Sequence, residues 1–163
     1  MNEMLRVAVC DDDAVANGVT VGAVSGILEK HGLQSELYTY RTAGELDAAM
    51  SRTAFDLILL DIDLPDLSGI EFCSRLRAEK NAVPVIFVSG HLDSVFSTFR
   101  CEPIGFVRKT MFLQDLSECI GIFLERRSDV GAGTKTLTVI SNKRTLMLAI
   151  DSIVYIEGAL KKQ

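Results

Sequence analysis

The sequence predicts an α/β protein with a doubly wound, five-stranded parallel sheet and a short β-rich C-terminal tail. Short apolar runs alternate with longer segments of helical period along residues 5–127. Polar or acidic side chains follow most of these runs directly. Strands that alternate with helices are joined by right-handed crossovers, which cover both faces of a parallel sheet with helices.

Each predicted element has its own signal. The strands are expected at residues 5–10, 36–40, 55–61, 83–89 and 104–108. The helices are expected at residues 15–31, 42–50, 69–79, 91–100 and 112–127. The third strand is almost entirely apolar, as in strands buried on both faces. Asp13 is an expected N-cap, His31 and Gly32 form a C-cap signal, and the helix over 91–100 has the weakest pattern.

Composition and length limit the class of protein. The chain has 163 residues, 48% of them hydrophobic, and a net charge of −5. One ordinary domain fits, with room for a fragment of a second, so a multi-domain enzyme and dominant disorder are excluded. No apolar stretch approaches the roughly 18 residues of a membrane span, and the N-terminus lacks a signal peptide pattern. We therefore expect a cytoplasmic protein that does not contact membranes.

The four cysteines are spaced singly along the chain. They are Cys10, Cys73, Cys101 and Cys119. The sequence has no C-x-x-C pair and no nearby histidine that would complete a zinc site. We expect four reduced thiols.

Chemically active side chains stand where the predicted strands end. They are Asp11, Asp12 and Asp13 after the first strand, Asp61 and Asp63 at the third, Ser89 at the fourth, and Lys109 after the fifth. Ligand sites in open α/β sheets lie beyond the carboxyl ends of the strands. We therefore expect these side chains to meet at one edge.

Such a set of residues suits phosphoryl chemistry with a divalent cation. Asp11, Asp12 and Asp61 offer the carboxylates through which Mg²⁺ is commonly held. Asp61 is a candidate nucleophile that would form an aspartyl phosphate. Lys109 would supply a second cation, and Ser89 a hydroxyl donor to a phosphoryl oxygen.

Four segments together resemble the receiver domain of two-component response regulators. They are VAVCDDD, LILLDIDLPDLSGIEF, VIFVSG and GFVRK, and the similarity covers residues 4–127. The resemblance implies a flavodoxin-like (βα)5 fold with Asp61 as the phosphoacceptor. It also implies that Asp11, Asp12, Asp61 and the backbone carbonyl of Asp63 bind Mg²⁺ or Mn²⁺.

The resemblance also implies partners and a switch. A histidine kinase would donate the phosphoryl group, which Ser89 and Lys109 would contact. Ser89 and Phe106 would couple phosphorylation to the face formed by the fourth helix and fifth strand, with a phosphorylation-dependent homodimer as one output. Thr110 stands where the family usually has proline. A non-proline cis bond costs about 2.5–4 kcal/mol, so we expect a trans bond and a differently shaped loop after Lys109.

The C-terminal part is expected to be a separate piece. Residues 128–135 are small, polar and rich in glycine, which is typical of a linker between a receiver at 1–127 and a tail at 136–163. The tail predicts a hairpin at 136–140 and 145–150 and a third strand at 152–156, and it is too short for an independent core. TLTVISNKRTLMLAIDSIVYIEGALKK resembles the opening strands of a LytTR-type DNA-binding domain. Contact with DNA would require a complete output domain, so we do not expect it of this chain.

Two other functions fit parts of the pattern. A phosphatase similar to the haloacid-dehalogenase group would use Asp61 as nucleophile and Asp63 as general acid. That group places its metal-binding acidic pair after the lysine, whereas Asp11 and Asp12 precede all other site residues. The other alternative is an interaction module that is never phosphorylated. We favour a phosphoacceptor that undergoes self-phosphotransfer and autodephosphorylation rather than an enzyme, with His91 and Asp63 either tuning the hydrolytic water or serving only local structure.

Overall fold

The computed structural model describes residues 3–128, 136–141 and 144–149. The chain divides into two compact units, Met1–Leu124 and Glu125–Gln163. None of the helices in the described segments is both long enough and apolar enough to span a membrane.

Five parallel strands form the sheet of the first unit. They are β1 Met4–Cys10, β2 Gln34–Tyr40, β3 Leu57–Asp61, β4 Val85–Ser89 and β5 Gly105–Arg108. Their order across the sheet is β2-β1-β3-β4-β5, and every residue of β3 and β4 is buried. The chain moves outward from β1 in one direction and from β3 in the other, which confirms the predicted doubly wound sheet. The switch of direction leaves a crevice at the carboxyl ends of β1 and β3.

Five helices connect or follow these strands. They are α1 Ala14–Lys30, α2 Ala43–Met50, α3 Gly69–Ala78, α4 Val95–Thr98 and α5 Phe112–Ser128. Asp13, Thr42 and Ser68 cap the first three, since each side chain accepts a hydrogen bond from a backbone N–H of the first turn. The predicted cap at Asp13 is thus confirmed.

The fourth helix is much shorter than the sequence predicts. Residues 91–100 were expected to be helical, but only α4 is α-helical, between the 3-10 turns Leu92–Ser94 and Phe99–Cys101. The Thr98 hydroxyl donates to the backbone carbonyl of Val95 at 2.6 Å. Short 3-10 turns are frequent at the ends of α-helices, and here they take up much of the predicted helix.

The four cysteines are free and buried, as expected of core thiols. Burial raises the pKa of Cys10, Cys73 and Cys119 to about 12. Thiols that rarely ionise are unreactive, so these three residues serve packing.

The second unit contains an antiparallel hairpin of β6 Thr136–Ser141 and β7 Arg144–Ala149. This matches the hairpin predicted at 136–140 and 145–150. Ser128, predicted as the first linker residue, is instead the last residue of α5. The rest of the predicted linker and the third strand predicted at 152–156 lie outside the described residues.

Candidate functional site

Four segments of the first unit converge at the carboxyl edge of the sheet. Asp11 follows β1, Asp61 ends β3, Ser89 ends β4 and Lys109 follows β5. Asp11, Asp61 and Ser89 are buried, with 4%, 3% and 0% of their surface exposed. Polar side chains buried to this degree need partners. Each accepts a hydrogen bond from a backbone N–H two residues further along the chain, and the two carboxylates also accept from Lys109.

Lys109 joins the two buried carboxylates. Its Nζ donates to Asp11 Oδ2 at 3.2 Å and to Asp61 Oδ2 at 3.3 Å. Burial lowers the pKa of Lys109, but the two carboxylates outweigh it, so the pKa lies above its ordinary value. The ammonium is therefore a permanent positive charge between residues that are far apart in sequence.

Asp61 has the most perturbed carboxyl of this edge. Burial raises its pKa to about 6, and the nearby charge of Asp11 acts in the same direction. The backbone N–H of Asp63, which donates to Asp61 Oδ1 at 3.1 Å, and the Lys109 ammonium oppose the shift. An added cation would favour the ionised, nucleophilic form of this carboxylate.

A cluster of three carboxylates could hold that cation. One oxygen each from Asp11, Asp12 and Asp61 lie within 4.8 Å of one another. Hard oxygen donors, two buried and one exposed, suit Mg²⁺, which usually keeps several waters and is bound by one or two carboxylates. The donor set fits the predicted Mg²⁺ site, while the part played by the Asp63 carbonyl remains a prediction.

The backbone beneath this cluster is fixed by residues that the sequence reasoning missed. Asn17 Nδ2 donates to the carbonyls of Asp11 and Tyr40 at 2.8 and 3.2 Å, and Arg41 donates twice to the carbonyl of Asp12 at 3.1 and 2.9 Å. Asn17 Oδ1 is buried and has no hydrogen-bond partner among the described residues. Arg41 could have been found, since it follows β2 at the same edge, whereas no sequence signal indicated Asn17.

Gly69 allows the chain after β3 to fold back tightly. A Cβ at this position would overlap the carbonyl oxygen of Asp61 and lie 3.0 Å from its carbonyl carbon. The Gly69 N–H donates to the carbonyl of Ile62 at 2.9 Å. Only glycine permits this approach, which sets the backbone of Asp61 against the start of α3.

Ser89 lies at the edge with its hydroxyl oxygen accepting a hydrogen bond from the backbone N–H of His91 at 3.0 Å. His91 Nε2 lies 3.4 Å from Asp63 Oδ2, and both side chains are mostly exposed. His91 precedes a 3-10 turn without capping it through its side chain. The pair thus stands at the mouth of the site.

Phe106 is half-buried on β5, next to Phe87 of β4 in the sheet register. It packs against a core cluster that includes Cys101, the residue that ends the turn after α4. Near α4, the side chains of Leu92, Phe96 and Phe99 are 58%, 80% and 49% exposed. The predicted switch residue is therefore half-buried against the core cluster that includes the end of this segment.

Arg108 and Asp115 form an ion pair beside Lys109 that was also missed. Arg108 Nε donates to Asp115 Oδ2 at 2.7 Å, and Nη2 donates to Oδ1 at 2.8 Å. The sequence offered one sign of this ion pair, the acidic residue in the first turn of α5, but that residue alone does not reveal its partner.

The described residues contain no cis peptide bond, so the expected trans bond between Lys109 and Thr110 is confirmed.

Comparison with known proteins identifies relatives of this arrangement. The sequence profile of the response regulator receiver domain matches residues 7–120. A protein-glutamate methylesterase/protein-glutamine glutaminase 2 of Methanospirillum hungatei is 35% identical over 104 residues, which cover 63% of this chain and 28% of that protein. The transcriptional regulatory protein RprY of Bacteroides fragilis is 24% identical over 128 residues, 77% of this chain and 52% of that protein.

Solved structures show the same fold. The crystal structure of a CheY-like response regulator receiver domain protein from Methanospirillum hungatei matches with a TM-score of 0.62 and 27% identity. The match covers 79% of this chain and all of that one. The curated relatives are longer, and the chain spans between 28% and 52% of their length.

Proposed function

Because the chain belongs to the response regulator receiver family of two-component systems, we propose that it accepts a phosphoryl group from a histidine kinase on Asp61. The observation that carries the proposal is the contact of a buried Asp61 carboxylate with the Lys109 ammonium, next to the carboxylates of Asp11 and Asp12. This arrangement offers a nucleophile, a fixed cation and a set of oxygen ligands within one crevice.

Transfer begins with the ionised carboxylate of Asp61. An Asp61 oxygen attacks phosphorus, the bond between phosphorus and the imidazole nitrogen of the donor breaks, and the leaving imidazole takes a proton from water. Mg²⁺ or Mn²⁺, held by Asp11, Asp12 and Asp61 with the Asp63 carbonyl, would neutralise charge on the phosphoryl oxygens. Lys109, already bonded to Asp61, can shift to a phosphoryl oxygen when the phosphorylated carboxyl loses its charge.

Ser89 is the proposed hydroxyl donor to the phosphoryl group. Its oxygen accepts from the His91 N–H, which leaves the hydroxyl hydrogen free to donate. Movement of Ser89 toward the site would allow Phe106 to change rotamer. Since Phe106 packs against the cluster that includes Cys101, this change would reach α4 and its apolar surface.

The proposed partner surface for the kinase surrounds the crevice. Val15 and Val19 on α1 and Leu113 on α5 are 74%, 57% and 65% exposed, and all follow the strand ends that carry the site. Large apolar side chains so exposed are typical of contact surfaces when they cluster. The proposed location is the cytoplasm, where the free cysteines stay reduced.

The division into a receiver at 1–127, a linker and a LytTR-type output start at 136–163 is also a proposal. The hairpin of β6 and β7 supports it, since the resemblance involves opening β-strands. DNA binding would belong to a complete output domain.

The experiment is incubation with Mg²⁺ and acetyl phosphate, followed by intact-mass measurement. We expect one phosphoryl group on the wild type and none on Asp61→Asn. Asp47→Asn, which removes an exposed carboxylate from α2, is the matched control and should be phosphorylated like the wild type.

Two results would contradict the proposal. Failure of the wild type to gain a phosphoryl group would favour an interaction module. Continuous release of phosphate from a monoester, lost in Asp63→Asn, would favour a phosphatase.

A further inference from the structure

A buried carboxylate of α5 fastens the residue that precedes Lys109. Asp115, in the first turn of α5, is 2% exposed. Its Oδ2 accepts from the backbone N–H of Arg108 at 3.0 Å as well as from Nε, and its Oδ1 accepts from Nη2. These three bonds join the last residue of β5 to α5 across residues 109–114, which form the 3-10 turn Lys109–Met111 and the start of α5.

The backbone around Lys109 gains little support from its own strand and turn. β5 has four residues and pairs with β4 at the edge of the sheet. No residue from 109 to 114 is a proline, which would fix a backbone angle, and the side chain of the N-cap residue, Arg108, does not cap the 3-10 turn Lys109–Met111. A tie across a segment limits its conformations, so the tie at Asp115 limits where Lys109 can stand.

The carboxyl of Asp115 keeps its charge despite burial. Burial raises its pKa, but the hydrogen bonds from Arg108 outweigh that effect, and the pKa lies below its ordinary value. A two-pronged pair between guanidinium and carboxylate also fixes orientation, which a single ammonium contact does not.

We propose that Asp115 is a positioning residue for phosphoryl transfer, which acts with Arg108 to hold the Lys109 ammonium against Asp11 and Asp61. The inference rests on the proposed function, in which Asp61 is the acceptor. Asp115 would not touch the phosphoryl group itself.

The first test is Asp115→Asn, measured by the rate of Asp61 phosphorylation with acetyl phosphate and by the affinity for Mg²⁺. We expect the rate to fall about ten- to a hundredfold, because small misplacements of catalytic groups are costly. Mg²⁺ should still bind, and no more weakly than to the wild type, since no proposed ligand is altered and the competing ammonium is held less firmly. Asp47→Asn, whose carboxylate also pairs with an arginine at 3.2 Å but on an exposed surface, should change neither quantity.

The second test separates positioning from a general loss of structure. In a Lys109→Met background, Asp115→Asn should cause no further loss of rate, because its effect passes through Lys109. A structural role alone would lower the rate by the same factor in both backgrounds. Arg108→Lys keeps the positive charge but loses the two-pronged pair, and a partial loss of rate is expected from it even where Asp115→Asn does not fold.

An unchanged rate of phosphorylation in Asp115→Asn or in Arg108→Lys would overturn the inference about Asp115 but not the proposed function. The same holds if Asp115→Asn lowers the rate by the same factor in the Lys109→Met background as in the wild type. A wild type that never becomes phosphorylated would overturn the proposed function and the inference with it.

Discussion

Asp61 is less acidic than an ordinary aspartate because folding removes its carboxyl from water. Its pKa is raised to about 6, so between about pH 4 and 6 the folded state binds more protons than the unfolded state. The free energy of unfolding contributed by this residue therefore falls as pH rises through that window. The burial that raises this pKa would also favour binding of a cation, because the cation would offset the buried negative charge of the carboxylate.

We predict that Asp61→Asn is more stable than the wild type at neutral pH without Mg²⁺. The expected gain is about 1–2 kcal/mol at pH 7, since a buried charge is removed while one contact of Lys109 is lost. The gain should vanish near pH 4, because the carboxyl of the folded wild type is protonated there and no buried charge remains. Urea denaturation across this pH range measures it.

Two comparisons control that prediction. Adding Mg²⁺ should narrow the difference, because the ion binds the folded wild type in preference to the variant. Asp47→Asn should differ from the wild type by less than about 0.5 kcal/mol at every pH, as is usual for exposed sites. A gain for Asp61→Asn that is equal at pH 4 and pH 7 would contradict the assigned cause.

At the scale of elements, α3 begins where a backbone turn presses against β3. We predict that Gly69→Ala destabilises the fold by about 1–3 kcal/mol, because the added Cβ overlaps the Asp61 carbonyl and cannot be accommodated by a side-chain movement. Phosphorylation of Asp61 should slow as well, since the backbone of the acceptor must shift. Thermal unfolding and the acetyl phosphate reaction measure the two effects.

Gly22→Ala is the matched control for Gly69→Ala. Gly22 lies in the middle of α1, is exposed, and has nothing within 4 Å of an added Cβ. Alanine there should stabilise the protein by about 0.5–1 kcal/mol through helix propensity. If the two substitutions changed the free energy of unfolding equally, the close approach at Gly69 would not be what makes alanine unfavourable there.

The sequence predicted those elements whose patterns are local. The apolar strands and the order of strand-end residues were sufficient to expect Asp11, Asp61, Ser89 and Lys109 at one edge, and all four lie there. The length of α4 was overestimated because the apolar pattern of the sequence does not distinguish an α-helix from the 3-10 turns that flank α4. The sequence did not reveal the roles of Asn17, Arg41 and the pair of Arg108 with Asp115. Asn17 and Arg41 bond to backbone carbonyls, and the partner of Arg108 depends on the tertiary fold.

On the scale of the whole molecule, an apolar surface near α4 could connect the proposed acceptor site with other protein chains. The side chains of Leu92, Phe96 and Phe99 form an exposed apolar surface, and the rings of Phe96 and Phe99 meet edge to face with centroids 5.9 Å apart. Phe106 packs on a core cluster that includes Cys101, so a shift at the site has a route to this surface. A population shift of α4 would then alter self-association.

We predict that beryllofluoride with Mg²⁺, a stable substitute for the phosphoryl group on Asp61, shifts the wild type to a larger species in gel filtration. Phe96→Ser should abolish the shift while leaving phosphorylation intact, because its side chain is 80% exposed and far from the proposed ligands in sequence. Val15→Ser, which changes a side chain that is 74% exposed on α1, should dimerise as the wild type does. Identical elution of the wild type with and without beryllofluoride would argue against self-association as the output, and loss of the shift in Val15→Ser alone would move the interface from α4 to α1.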